Sequence, residues 1–154
     1  MSEHLDGVIK DLKVIVNNRP FHAFALLAIT IEVLGKCLNS NPDWHHFEPK
    51  GADFNNALLN YESLKKYTEL SGHLYKSLRC GMVHALMPTR EIRLIPDRND
   101  FSKNTVGCKE LYEDIVTAWN AIKEGEIMPS KDMSEKLIEV QGQSTGITSE
   151  SKTE

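Results

Sequence analysis

At 154 residues, with 40% hydrophobic and 26% charged side chains, the chain is long enough for one domain with a real core and close to average soluble composition. Its net charge of −4 gives no global attraction to nucleic acid or to an anionic membrane, so either kind of binding requires a local basic patch. Three widely spaced cysteines without a CxxC pair, no leader-like N-terminus and no apolar run long enough for a bilayer predict reduced thiols, a cytoplasmic location and no membrane partner.

The periodicity of Leu5, Val8, Ile9, Leu12, Ile15 and Val16 predicts a first helix over 5–17, broken at Asn17-Asn18-Arg19-Pro20. A second helix follows over about 21–38. It is apolar nearly all round at its start, which suits a central position. Residues 44–54, with Trp44, His45, His46 and Phe47 among Pro and Gly, read as a loop. A third helix is expected over 55–70 and a fourth over 73–86, separated at Ser71-Gly72 and stopped by Pro88. Glu91-Ile-Arg-Leu-Ile95 alternates as a strand does, with a weaker partner around 104–107. A fifth helix over 109–123 places Leu111, Ile115, Ala118, Trp119 and Ile122 on one face, with Gly125 as its C-terminal cap. Residues 130–140 suit a short polar helix, and the Ser/Thr/Gly/Glu/Gln content beyond Gln141 predicts disorder. The expected fold is therefore mainly α: a compact bundle of about five helices over 1–128, with a small β-hairpin inserted before the last core helix, then a polar tail over 129–154.

Only one segment carries visible chemistry, His73 to Leu86. On an ideal helix Leu74, Leu78, Met82, Ala85 and Leu86 share an apolar arc with Tyr75 at its margin. His73, Lys76, Arg79, Cys80, Val83 and His84 occupy the opposite arc, where Val83, Cys80 and the bare Gly81 suggest a second packed face, suited to another helix or another subunit. Arg79 and His84 lie about 140° apart on such a helix. A joint site therefore requires either two copies meeting across a two-fold axis or a distortion at Gly81. Such a group suits RNA cleavage without metal: a histidine exchanges a proton with a 2′-hydroxyl or leaving oxygen, while an arginine holds the phosphate. The plainer reading is an exposed arginine and a histidine at a packing edge.

Glu32 interrupts an apolar helix and needs a partner, either an arginine or polar group in the cleft or solvent at a helix edge. His45-His46 with Asp43 and Glu48 lacks a third ligand at helical spacing, so no metal or other cofactor is expected. Cys80 reads as a reactive thiol or a buried interface residue. Arg90, Arg93 and Arg98 read as an extended phosphate surface or a solvated strand face.

Leu78-Arg79-Cys80-Gly81-Met82-Val83-His84 resembles the motif of the HEPN superfamily, compact helical bundles in which an arginine, four to six residues and a histidine recur. Ile31-Glu32-Val33-Leu34-Gly35-Lys36 is similar to a helix of the same group. The resemblance covers roughly 5–123. It implies a homodimer with a composite cleft and, in many members, metal-independent endoribonuclease activity in toxin–antitoxin or defence systems, with RNA as substrate and a cognate antitoxin as partner. Arg79 would stabilise phosphate and His84 act as acid or base. Glu32, His73, Lys76 and Cys80 would line the cleft, with Val83 and Gly81 on the dimer face. Active members frequently carry a polar residue where this chain has Cys80. The alternative is thus a catalytically inactive HEPN-like dimeric interaction or nucleotide-binding module.

Overall fold

The computed structural model describes residues 2–39 and 51–125. The expected loop over 44–54 falls outside those residues up to position 50, its last three residues belong instead to a helix that begins at Ala52, and the segments beyond 125 fall outside as well. Helix α1, Ser2–Asn18, and helix α2, Pro20–Lys36, form an antiparallel pair. Pro20 sits in the first turn of α2, where its missing N–H costs nothing. Helix α2 is the central one, touching α1, the helix over Ala52–Asn60, the last helix over Cys108–Lys123 and the motif helix. It buries Phe24, Leu27, Ala28, Ile31 and Leu34, and also the charged Glu32.

Helix α3, Ala52–Asn60, stops at Tyr61, whose backbone is extended and whose hydroxyl donates to the Leu34 carbonyl at 2.9 Å. The single helix expected over 55–70 is therefore two elements. The second, Glu62–Leu70, is a 3-10 helix of nine residues. Tyr61, Leu64, Tyr67 and Leu70 are buried at three-residue intervals, and a three-residue turn places all four on one line facing the core.

The fourth helix runs as α4, Ser71–Leu74, then a π-helical stretch, Tyr75–Met82, then α5, Val83–Ala85. Here the buried residues Leu70, Leu74, Leu78 and Met82 recur every fourth position. That spacing drifts around an α-helix of 3.6 residues per turn but is kept in line by wider turns. The α-helical arc expected to be buried accordingly ends early. Ala85 and Leu86 are exposed, and Leu86 closes the helix in the left-handed conformation, at φ 54°.

The two-stranded insert precedes the last helix as expected, with β1 at Arg93–Ile95 and β2 at Thr105–Gly107. Its pairing is parallel, Arg93 opposite Thr105 and Ile95 opposite Gly107, because the connection loops out through a short 3-10 turn, Phe101–Lys103, before returning. Helix α6, Cys108–Lys123, buries Leu111, Ile115, Ala118, Trp119 and Ile122, the predicted face. A polar cluster ties the insert to its neighbours. Tyr67 donates to Asp114 at 2.7 Å, and the Asn99 amide group donates to Tyr67 and accepts from the Gly107 N–H at 2.8 Å. Lys66 pairs with both Glu110 and Asp114 at 2.9 Å. Among the described residues no helix is long and apolar enough to cross a membrane.

Candidate functional site

Two elements build the site: the π stretch of the fourth helix and the second half of α2. In the π stretch the hydrogen bonds close on the fifth residue rather than the fourth. Residues five apart therefore come to one face. Arg79 and His84 are such a pair, and the Arg79 Nη1 stands 3.4 Å from the His84 Nε2. A guanidinium only donates, so in this contact Nε2 is the acceptor. Of the two ways of uniting this pair, the distortion is present within a single chain.

The distortion includes Gly81, and the packing explains why a glycine is there. A Cβ on Gly81 would lie 2.3 Å from the Met87 carbonyl oxygen and 3.3 Å from the Pro88 Cα. The turn after the helix thus folds back onto the bare backbone, and the Met87 N–H donates to the Gly81 carbonyl at 3.3 Å. Gly81 is covered on this side by its own chain. Ser77, fully buried, fastens the same turn through a 2.5 Å contact between its hydroxyl and that of Thr89.

Glu32 meets Arg79 from α2. The Arg79 Nε donates to the Glu32 Oε2 at 2.6 Å, and the two side chains are only 15% and 5% exposed. The sequence offered two settings for Glu32, and the structure gives the ion pair. Fixing Nε sets the plane of the guanidinium and directs Nη1 toward His84. His84 itself is exposed, so the pair combines a buried, held cation with an accessible imidazole.

The other candidate residues distribute around this centre. Cys80 is exposed, not buried at an interface of the chain with itself. Tyr75, five residues before Cys80, is half-buried with its ring edge-on to Phe54, centroids 5.6 Å apart. Burial pushes its phenol pKa up, reinforced by the neighbouring Cys80 and Glu32, so the hydroxyl stays a donor through neutral pH. Sequence reading put Tyr75 at the margin of the core and missed this neighbourhood; the repeated five-residue relation, Tyr75 to Cys80 and Arg79 to His84, was the available signal. His73 and Lys76 are exposed, and their charges act on Glu91, whose carboxyl lies below its ordinary range chiefly through its hydrogen bond with Thr89. Val83 is half-buried against the core, whereas Leu86 and Met87 beside His84 are 59% and 68% exposed. Arg98 pairs with Glu113 at 3.0 Å, so it belongs to the α6 surface rather than to the site. Among the described residues no cluster of three or more His, Cys, Asp or Glu is arranged to hold a metal ion; the His45-His46 segment lies outside them.

The arrangement holds a cation beside a proton acceptor at an open surface, a chemistry suited to binding and activating a phosphate ester. Set against protein families, curated proteins and solved structures, the chain matches none of them, and its likeness to a HEPN motif rests on the residues alone.

Proposed function

We propose that the protein is a HEPN-like, metal-independent endoribonuclease whose working site is completed by a second copy of the chain, acting in a toxin–antitoxin or defence setting. The observation that carries the proposal is the Arg79–His84 contact, made on a π turn and braced by Glu32. In this reading Arg79 holds a bridging phosphate through its Nη groups while Glu32 keeps the Nε side occupied. When Arg79 Nη1 turns from His84 to the phosphate it frees the Nε2 lone pair, which accepts the proton of the 2′-hydroxyl, whose oxygen then attacks phosphorus as the bond to the 5′-oxygen breaks. The departing oxygen needs a proton, and each chain brings only one His84. A second copy meeting at the same face supplies it, which is the chemical reason for a composite site. The products are a 2′,3′-cyclic phosphate and a 5′-hydroxyl.

The test is cleavage of single-stranded RNA in EDTA. His84→Ala and Arg79→Ala are each expected to lower the rate by about 10²–10⁴-fold. Equal activity in all three proteins would remove the assignment.

A second reading, a non-catalytic interaction or nucleotide-binding module, is favoured by Cys80 next to Arg79 and by the exposed Leu86 and Met87 beside His84. It predicts a nucleotide-induced thermal shift, or a dimer split by Met87→Glu, with no RNA product at any protein concentration.

A further inference from the structure

The half-buried Tyr75 is fixed more tightly than a side chain at the margin of a core requires. The start of helix α3 grips its ring on two sides. Phe54 meets it edge-on, with ring centroids 5.6 Å apart. Gly51, the residue before the helix, lies against its stem: a Cβ there would stand 2.5 Å from Cε2, 2.6 Å from Cδ2 and 2.8 Å from Cγ, closer than carbon atoms approach. Gly51 also holds φ +74°, which side chains disfavour, so two separate constraints ask for glycine at this position. The grip falls on the ring carbons and leaves the phenol oxygen at the far end.

The π stretch carries that oxygen to the motif. Hydrogen bonds that close on the fifth residue set position 75 one wide turn before positions 79 and 80. The phenol accordingly shares its surroundings with the Cys80 side chain, the Glu32 carboxylate and the Arg79 guanidinium. The group it meets is the Cys80 thiol. Sulfur is a weak hydrogen-bond partner, whereas the oxygen of a charged phosphate is a strong one. A phenol locked by its ring and only weakly engaged at its oxygen is a donor placed in advance. It gives up little on leaving the sulfur, and little side-chain freedom on meeting a ligand.

We propose, resting on the ribonuclease reading for the identity of the ligand, that the Tyr75 hydroxyl is a further substrate-binding group, donating to a non-bridging oxygen of the phosphate held by Arg79. Tyr75, Arg79 and His84 then follow one another at intervals of four and five residues along one side of the wide helix. The first two bind the phosphate, and the exposed His84 is left to the proton transfer.

The test is Tyr75→Phe, which keeps the ring between Gly51 and Phe54 and removes only the oxygen. Two quantities are measured on the full chain: binding of a 2′-O-methyl RNA hexamer, which offers phosphates without a free 2′-hydroxyl, and cleavage of the unmodified RNA in EDTA. Tyr75→Phe is expected to weaken hexamer binding about tenfold and to lower kcat/KM at least as far, at the wild-type melting temperature. If the wild type cleaves and either quantity is unchanged in the variant, the proposal is overturned while the ribonuclease reading stands. A loss that comes with a lower melting temperature overturns it as well, because the hydroxyl would then serve the fold. Hexamer binding that depends on Tyr75 in a protein that cleaves nothing supports the phosphate contact and removes the ribonuclease reading. Wild-type protein that neither binds nor cleaves overturns both.

Discussion

Glu32 is the residue on which the site's geometry turns. Buried in the central helix, it is paired with Arg79 at 2.6 Å. Glu32→Ala leaves a guanidinium with little exposure and without this partner, and is expected to cost about 3 kcal/mol in a denaturant melt. Glu32→Gln keeps an acceptor for Nε and should recover most of that stability. If the ion pair sets the plane of Arg79 for phosphate, RNA cleavage stays depressed in the Gln variant after folding is restored. Cysteine accessibility separates three similar residues. Burial pushes Cys37 and Cys108 up from 9.0 to about 12, while Cys80 is exposed. At pH 8 a thiol reagent is expected to modify only Cys80 promptly, and all three cysteines after unfolding. Prompt modification of two or more in the native protein would contradict the packing.

At the scale of elements, the turn that follows the motif is the most exposed to test. A Cβ at Gly81 collides with the backbone of Met87, which has nowhere to move without releasing the Ser77–Thr89 contact. Gly81→Ala is expected to lower stability by about 1–3 kcal/mol and to separate Arg79 from His84. Leu86 holds a left-handed conformation that side chains disfavour, so Leu86→Gly is expected to raise stability by about 1 kcal/mol in the same melts. Helices α1 and α6 were legible because their apolar residues follow the α-helical period, and α2 because a long apolar run begins just after the break at Asn17-Asn18-Arg19-Pro20. The 3-10 and π stretches were not, because sequence reading fitted one period to a segment that uses two. The buried line Tyr61, Leu64, Tyr67, Leu70, Leu74, Leu78, Met82 steps three, three, three, then four, four, four. That change of step announces a tight helix followed by a wide one. The parallel pairing of the insert had no such signal: strands of three residues carry too little pattern to fix direction.

For the whole molecule, acid stability follows from which carboxylates the fold favours as anions. Asp6 lies below its ordinary 3.8, chiefly through hydrogen bonds from Trp119 and Lys123, and these bonds join α1 to the end of α6. A carboxylate with a lowered folded pKa contributes stability that is complete above its unfolded value and lost as pH falls through the folded one. Melting temperature is therefore expected to drop below about pH 4, and Asp6→Asn should flatten that drop. Asp114 runs the other way. Burial raises it, against the lowering influence of Lys66 and Tyr67, so it opposes folding as pH climbs through its titration range and moderates the acid loss. The cluster around Asn99 joins the insert, the 3-10 helix and α6, and Asn99→Ala strands the Gly107 N–H. It is expected to cost about 1–3 kcal/mol, as an apparent loosening of the insert in hydrogen exchange.

The π stretch has a genetic corollary. A turn that holds one residue more than an α-turn is undone by removing one residue, and the residue need not belong to the pair it creates. Dropping the exposed Lys76 lets the helix relax to ordinary turns while Arg, four residues and His remain intact in the reading frame. On such a helix they face about 140° apart. A sequence search would still find the motif, and the chemistry would be gone: here the spacing in the chain and the spacing in space are separate properties, joined by a single codon.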